Sequence, residues 1–130
     1  MGKIEFYDGS NWVSESSSST NYRTGLVTNI GDVDGPAVAN LTVSGCITSA
    51  EKLSRSNEGN EIVINYNDAG YVPFVFAQIL DTNSNGLASS AVRPGYTSTQ
   101  ATIFLRQDGG FGNPAQDVEL FIMLAKPNID

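Results

Sequence analysis

Ile62-Val-Ile-Asn-Tyr-Asn-Asp-Ala-Gly-Tyr71-Val-Pro-Phe-Val-Phe-Ala-Gln-Ile-Leu-Asp81 is the stretch that sets the fold class. Ile62, Ile64 and Tyr66 alternate with Val63, Asn65 and Asn67, the two-residue period of a half-buried strand. Asn67-Asp-Ala-Gly70 then supplies turn chemistry. From Tyr71 to Asp81 apolar and aromatic residues occupy both faces, which reads as a central strand of a sandwich. Pro73 lies near its start, where a missing N–H does least harm.

The same grammar extends in both directions. Downstream, Thr97 to Gln107 places Ala101, Ile103 and Leu105 on one face, and Val118 to Lys126 does the same with Val118, Leu120, Ile122 and Leu124. Asp108-Gly-Gly-Phe-Gly-Asn-Pro114 between them is turn chemistry throughout. Upstream, a polar stretch runs from Glu51 to Glu61. Before it, Val38 to Thr48 offers Leu41, Val43 and Ile47 as inward residues, with Gly45 allowing a bend. Leu26-Val27 and the turn Gly31-Asp-Val-Asp-Gly-Pro36 precede that.

At the N-terminus, Asp8-Gly9 marks a tight hairpin turn between Ile4-Glu-Phe6 and Trp12-Val13. So short a hairpin is marginal alone in water, so it is an arm that docks on something else through Phe6, Tyr7, Trp12 and Val13. Ser14-Glu-Ser-Ser-Ser-Ser-Thr20 is a low-complexity tether. The organisation is therefore an arm and linker over 1–20 and an all-β domain over 21–130. Its expected architecture is an antiparallel β-sandwich, a jelly-roll or lectin-like knob.

Composition agrees: 40% hydrophobic but only 16% charged residues, with 13 glycines, suits strands and turns rather than helices. Fourteen acids against seven Lys and Arg give a net charge of −7, and the bases form no run. Nucleic-acid affinity needs clustered bases that release counterions from phosphates, so no nucleic-acid partner is expected. No stretch approaches the roughly 20 apolar residues of a membrane helix, and no leader is expected, so synthesis in a cytoplasm without membrane insertion is the reading. Cys46 is the one cysteine, with no partner for an intrachain disulfide, and reads as a reduced, partly buried thiol.

Histidine is absent, which leaves the lone thiol without an imidazole activator and removes the usual zinc ligand sets. Paired carboxylates, Asp32 with Asp34 and Asp117 with Glu119, are two apart, as a glycosidase pair on one strand face would be. The plainer reading is solvated turn acids, and no catalytic residue is expected. Asp81-Thr-Asn83-Ser-Asn85-Gly86 matches the first half of a calcium loop, in which Asp81, Asn83 and Asn85 would converge on the cation. Its twelfth position is Val92, not a bidentate glutamate. An ordinary loop without a cofactor is the reading, and bound calcium the alternative. Tyr71, Arg93, Tyr96 and Phe111 lie in or beside loops. There, aromatic rings can stack on a sugar's apolar face, or else complete the core or a subunit interface.

Asn40-Leu-Thr-Val-Ser-Gly-Cys-Ile-Thr-Ser49 resembles segments that recur in bacteriophage tail-fibre and other virion appendage proteins. Phe6-Tyr-Asp-Gly-Ser-Asn-Trp-Val13 resembles the Tyr-Asp-Gly-x-x-Trp element of the same proteins. The half from Ile62 to Ala125 is distantly similar in strand pattern to H-type lectin-like sandwiches. The resemblance implies a homotrimeric virion structural protein, a tail-fibre or head-fibre knob that contacts tail, baseplate or capsid proteins. Attachment to a host surface glycan fits it too. A capsid decoration protein and a free carbohydrate-binding lectin are the alternatives.

Overall fold

In the computed structural model the described residues are 5–7, 12–14, 21–55, 59–81, 88–107 and 116–127. They form an antiparallel β-sandwich of two four-stranded sheets, with a separate hairpin ahead of it. The hairpin pairs β1 (Glu5–Tyr7) with β2 (Trp12–Ser14), setting Phe6 opposite Val13 and Tyr7 opposite Trp12. The first sheet has the order β4-β3-β10-β7, built from β3 (Tyr22–Thr28), β4 (Thr42–Gly45), β7 (Phe74–Asp81) and β10 (Glu119–Ala125). The second has the order β5-β6-β9-β8, built from β5 (Ile47–Arg55), β6 (Gly59–Tyr66), β8 (Ala88–Val92) and β9 (Gln100–Gln107).

The core follows the two-residue period. Val118, Leu120, Ile122 and Leu124 are fully buried, and so are Ile62, Ile64, Ile103 and Leu105 from the facing sheet. Each large side chain so enclosed contributes roughly 1.5–3 kcal/mol. Leu41 and Ile47 are buried as expected, and Val43 packs against their cluster. Gly45 adopts φ 68° and turns the chain from β4 in one sheet to β5 in the other. A Cβ there would meet the Thr24 carbonyl at 2.4 Å, so only glycine fits this corner.

Three expectations are corrected. The run ending at Asp81 is not central: β7 is the edge of its sheet, paired only with β10. Its second apolar face is uncovered rather than buried. The polar stretch after Ala50 is largely strand, because β5 continues to Arg55 and β6 begins at Gly59. Asp117 precedes β10 at φ 52°, so it does not share a strand face with Glu119. In addition β8, which has no strong apolar alternation, closes the second sheet beside β9.

Candidate docking face

The register across the first sheet lines up its outward side chains in rows. Tyr22, Ala125 and Phe74 form one row, Thr24, Met123 and Phe76 the next, and Ser44, Leu26, Phe121 and Gln78 a third. These alternate with the buried Val27, Leu120, Ile122, Leu124 and Val75, so they point away from the core. Tyr22 is 58% exposed, Phe74 52% and Phe76 51%, with Leu80 at 54% further along the same strand. No charged residue appears in these three rows; Glu119 stands beyond them.

The outer face of the other sheet is built differently. Asn65 donates to Ser49 Oγ at 3.1 Å and accepts from Gln100 Nε2 at 3.0 Å, a polar ladder across three strands. Glu51 and Leu53 flank it on β5. One row of that face is thus hydrogen-bonded and polar, beside Leu53, Val63 and Phe104, whereas the outer rows of the first sheet carry Tyr22, Phe74, Phe76, Phe121 and Met123. Contiguous exposed apolar surface of this kind marks a contact site in soluble proteins. The edge strand β7 is partly shielded against open pairing, since Ser90 Oγ donates to the Ala77 carbonyl from β8 at 3.3 Å.

A second feature lies at the end of the sandwich where β6 and β8 finish. Arg93, Pro94, Gly95, Tyr96 and Thr97 of the β8–β9 connection, with Gln100 and Thr102, line a cleft of about 270 Å³. Arg93 N–H donates to the Thr102 carbonyl at 2.9 Å, while Thr97 Oγ1 accepts from the Gln100 N–H at 3.1 Å. Tyr66 Oη donates to the Thr97 carbonyl at 2.7 Å from within the core, anchoring the loop from below. Burial pushes the Tyr66 phenol up to about 12.

The structure therefore brings Arg93 and Tyr96 together. Tyr71 lies elsewhere, under the Lys126 ammonium at 5.8 Å from the ring centre. Phe111 lies outside the described residues. So do Asn83 and Asn85 of the calcium-like loop, while Asp81 closes β7. Val92, at the twelfth position, is partly buried and packs against the core. Among the described residues no three acidic or thiol side chains cluster as a metal site would need. The arm residues Phe6, Tyr7, Trp12 and Val13 all fall in the paired hairpin strands.

A buried polar hub escaped the sequence reading. Lys52, 1% exposed, donates from Nζ to the Ile30 carbonyl at 2.8 Å and the Asp32 carbonyl at 2.7 Å. Asn60 Nδ2 donates to the Val33 and Gly35 carbonyls. Together they pin the β3–β4 connection, whose backbone oxygens would otherwise be enclosed without partners. Burial lowers the Lys52 ammonium below its ordinary range, with Asp32 and Asp34 opposing. Two spacings, Lys52 inside an otherwise alternating β5 and Asn60 opening β6, were the available signal. Cys46 is a free, partly buried thiol, pushed up by burial.

Comparison with protein-family models, curated proteins and solved structures gives no match.

Proposed function

We propose that this chain is a non-catalytic structural protein of a phage virion, a knob that assembles as a homotrimer and with neighbouring appendage or capsid proteins through the outer face of its first sheet. The observation that carries the reading is the contrast between its two outer faces: a polar ladder on one side, and Tyr22, Phe74, Phe76, Met123 and Phe121 in adjoining rows on the other. The appendage-like words at Asn40–Ser49 and Phe6–Val13 supply the virion context. Identical chains that share an adhesive patch close into cyclic assemblies, which is how a small domain gains interface area.

Light scattering on the full chain from about 1 micromolar to about 1 millimolar tests assembly, a range that spans weak self-contact. The expected result is a rise from the 13.8 kDa chain toward three times that mass, abolished by Phe76→Glu. A monomer throughout, or a trimer indifferent to Phe76→Glu, overturns it. Electron microscopy of phage particles carrying a labelled copy then distinguishes an appendage from a capsid-cementing position; particles without label overturn the virion reading.

The cleft that joins Arg93 and Tyr96 favours a second reading, recognition of a host surface glycan, since an aromatic ring beside hydrogen-bonding groups suits a sugar. A glycan array giving a defined saccharide signal that Tyr96→Ala removes supports it, and a blank array rejects it.

A further inference from the structure

We infer that the cleft at the β8–β9 connection takes an acidic saccharide, a sugar unit whose carboxylate pairs with Arg93 while its ring stacks on Tyr96. This rests on the glycan reading above and names the class of sugar.

The charges around the cleft carry the step. The chain holds fourteen acids against seven Lys and Arg, yet among the described residues the cleft is lined by Arg93, whose side chain is exposed, and by no carboxylate. The neighbouring acids are held off. Asp68 is turned onto the Gly70 N–H at 2.7 Å. Glu51 shares an outer row with Val63 and Thr102, and Glu61 the next row with Phe104 and Ala91. At a strand spacing of about 4.8 Å their backbones stand three and two strands from that of Arg93, about 14 Å and about 12 Å away. Both distances exceed the screening length of about 8 Å at physiological salt. Glu61 is besides enclosed and has its own interaction partner. The net charge of −7 therefore does not set the sign of the field in the cleft; the nearby guanidinium does.

Shape selects a carboxylate on a sugar. A guanidinium presents a planar fork that matches a carboxylate with two parallel hydrogen bonds. A phosphate monoester would bring a second negative charge to a cleft with one base. The volume of about 270 Å³ is at the small end for ligand sites, room for one sugar ring. The walls are set before a ligand arrives: Tyr96 packs against the core, and Thr97 Oγ1 accepts from the Thr99 and Gln100 N–H groups at 3.2 and 3.1 Å. Gln100 belongs to the lining and also donates to Asn65, whose amide reaches Ser49. The cleft thus opens onto a row of hydrogen-bonding side chains across three strands. A second sugar unit finds partners there that a free carboxylic acid would leave unused.

The test is an array of glycans in matched pairs whose terminal units differ only in a carboxylate against a hydroxymethyl group, with sulfated members added, probed with the full chain. The signal on an acidic member is expected to be about tenfold above that on its neutral counterpart. Raising salt from about 0.05 M to about 0.5 M is expected to narrow that gap. Arg93→Gln is expected to bring the acidic signal down to the neutral level, and Arg93→Lys, which keeps the charge without the fork, to restore part of it. Equal signals within pairs, a preference for neutral or sulfated members, or an acidic preference that survives Arg93→Gln overturns the inference and leaves the glycan reading standing. A blank array rejects the glycan reading and this inference with it.

Discussion

Replacing Lys52 with methionine keeps the length of a side chain that is 1% exposed and removes its two donors to the Ile30 and Asp32 carbonyls. Hydrogen bonds from a charged donor contribute about 1.5–3 kcal/mol each, so the gross loss is about 3–6 kcal/mol. Part of it returns, because an ammonium held below its ordinary pKa by burial is already penalised in the fold. The expected net loss is about 2–3 kcal/mol, which for a chain of this size lowers Tm by about 10 °C. Thermal denaturation at pH 7 followed by circular dichroism measures it. The pH dependence carries a second signature. The folded state binds the Lys52 proton less tightly than the unfolded chain, so below the ordinary lysine value of 10.5 this residue makes stability rise with pH. Lys52→Met should lose that rise. A variant with unchanged or higher Tm would show that the carbonyls of the β3–β4 connection find water or other donors, and the hub would then be incidental to stability.

Three further outcomes follow from single contacts. Tyr66, 3% exposed, is raised from 10 to about 12, so between those values the unfolded chain has released a proton that the fold retains, and stability falls as pH rises. The loss is about 2–3 kcal/mol across that window; urea midpoints at either end should show it in the unaltered chain and not in Tyr66→Phe. Gly45→Ala forces a Cβ to 2.4 Å from the Thr24 carbonyl at φ 68° and should cost about 2 kcal/mol or more, read as a Tm drop; an unchanged Tm means the corner relaxes. Ile122→Ala, at a fully buried position on an inner strand, should cost about 2–5 kcal/mol in urea denaturation, and a cost below 1 would show that the core closes around the lost atoms.

The core was legible because burial on one face imposes a two-residue period. Ile62, Ile64 and Tyr66, or Leu120, Ile122 and Leu124, needed no knowledge of their neighbours to be placed inside. The bend at Gly45 was legible for the same local reason: a glycine interrupting an apolar strand signals backbone that other residues cannot adopt. Sheet order was not legible, since it depends on which strands meet across long connections. Lys52 went unnoticed because a charged residue signals solvent unless its carbonyl partners are known, and those sit some twenty residues away. Arg93 and Tyr96 are three residues apart in one connection, so their meeting was foreseeable. Tyr71, from another connection, is not among the residues lining that cleft, and Phe111 lies outside the described residues.

The error over β7 carries the functional lesson. A strand apolar on both faces has two physical solutions: cover by a second layer within the fold, or cover by something outside it. Sequence periodicity cannot separate them, because the side chains are the same in both. The strand order does, by placing Phe74 and Phe76 at an edge where nothing in the sandwich lies over them. A chain with only 16% charged residues that still builds a hydrogen-bonded polar row across three strands of its other sheet has means to make an outer row wet. The absence of such a ladder beside Met123 and Phe121 is therefore a property of that face rather than of the composition. It is what a contact surface requires.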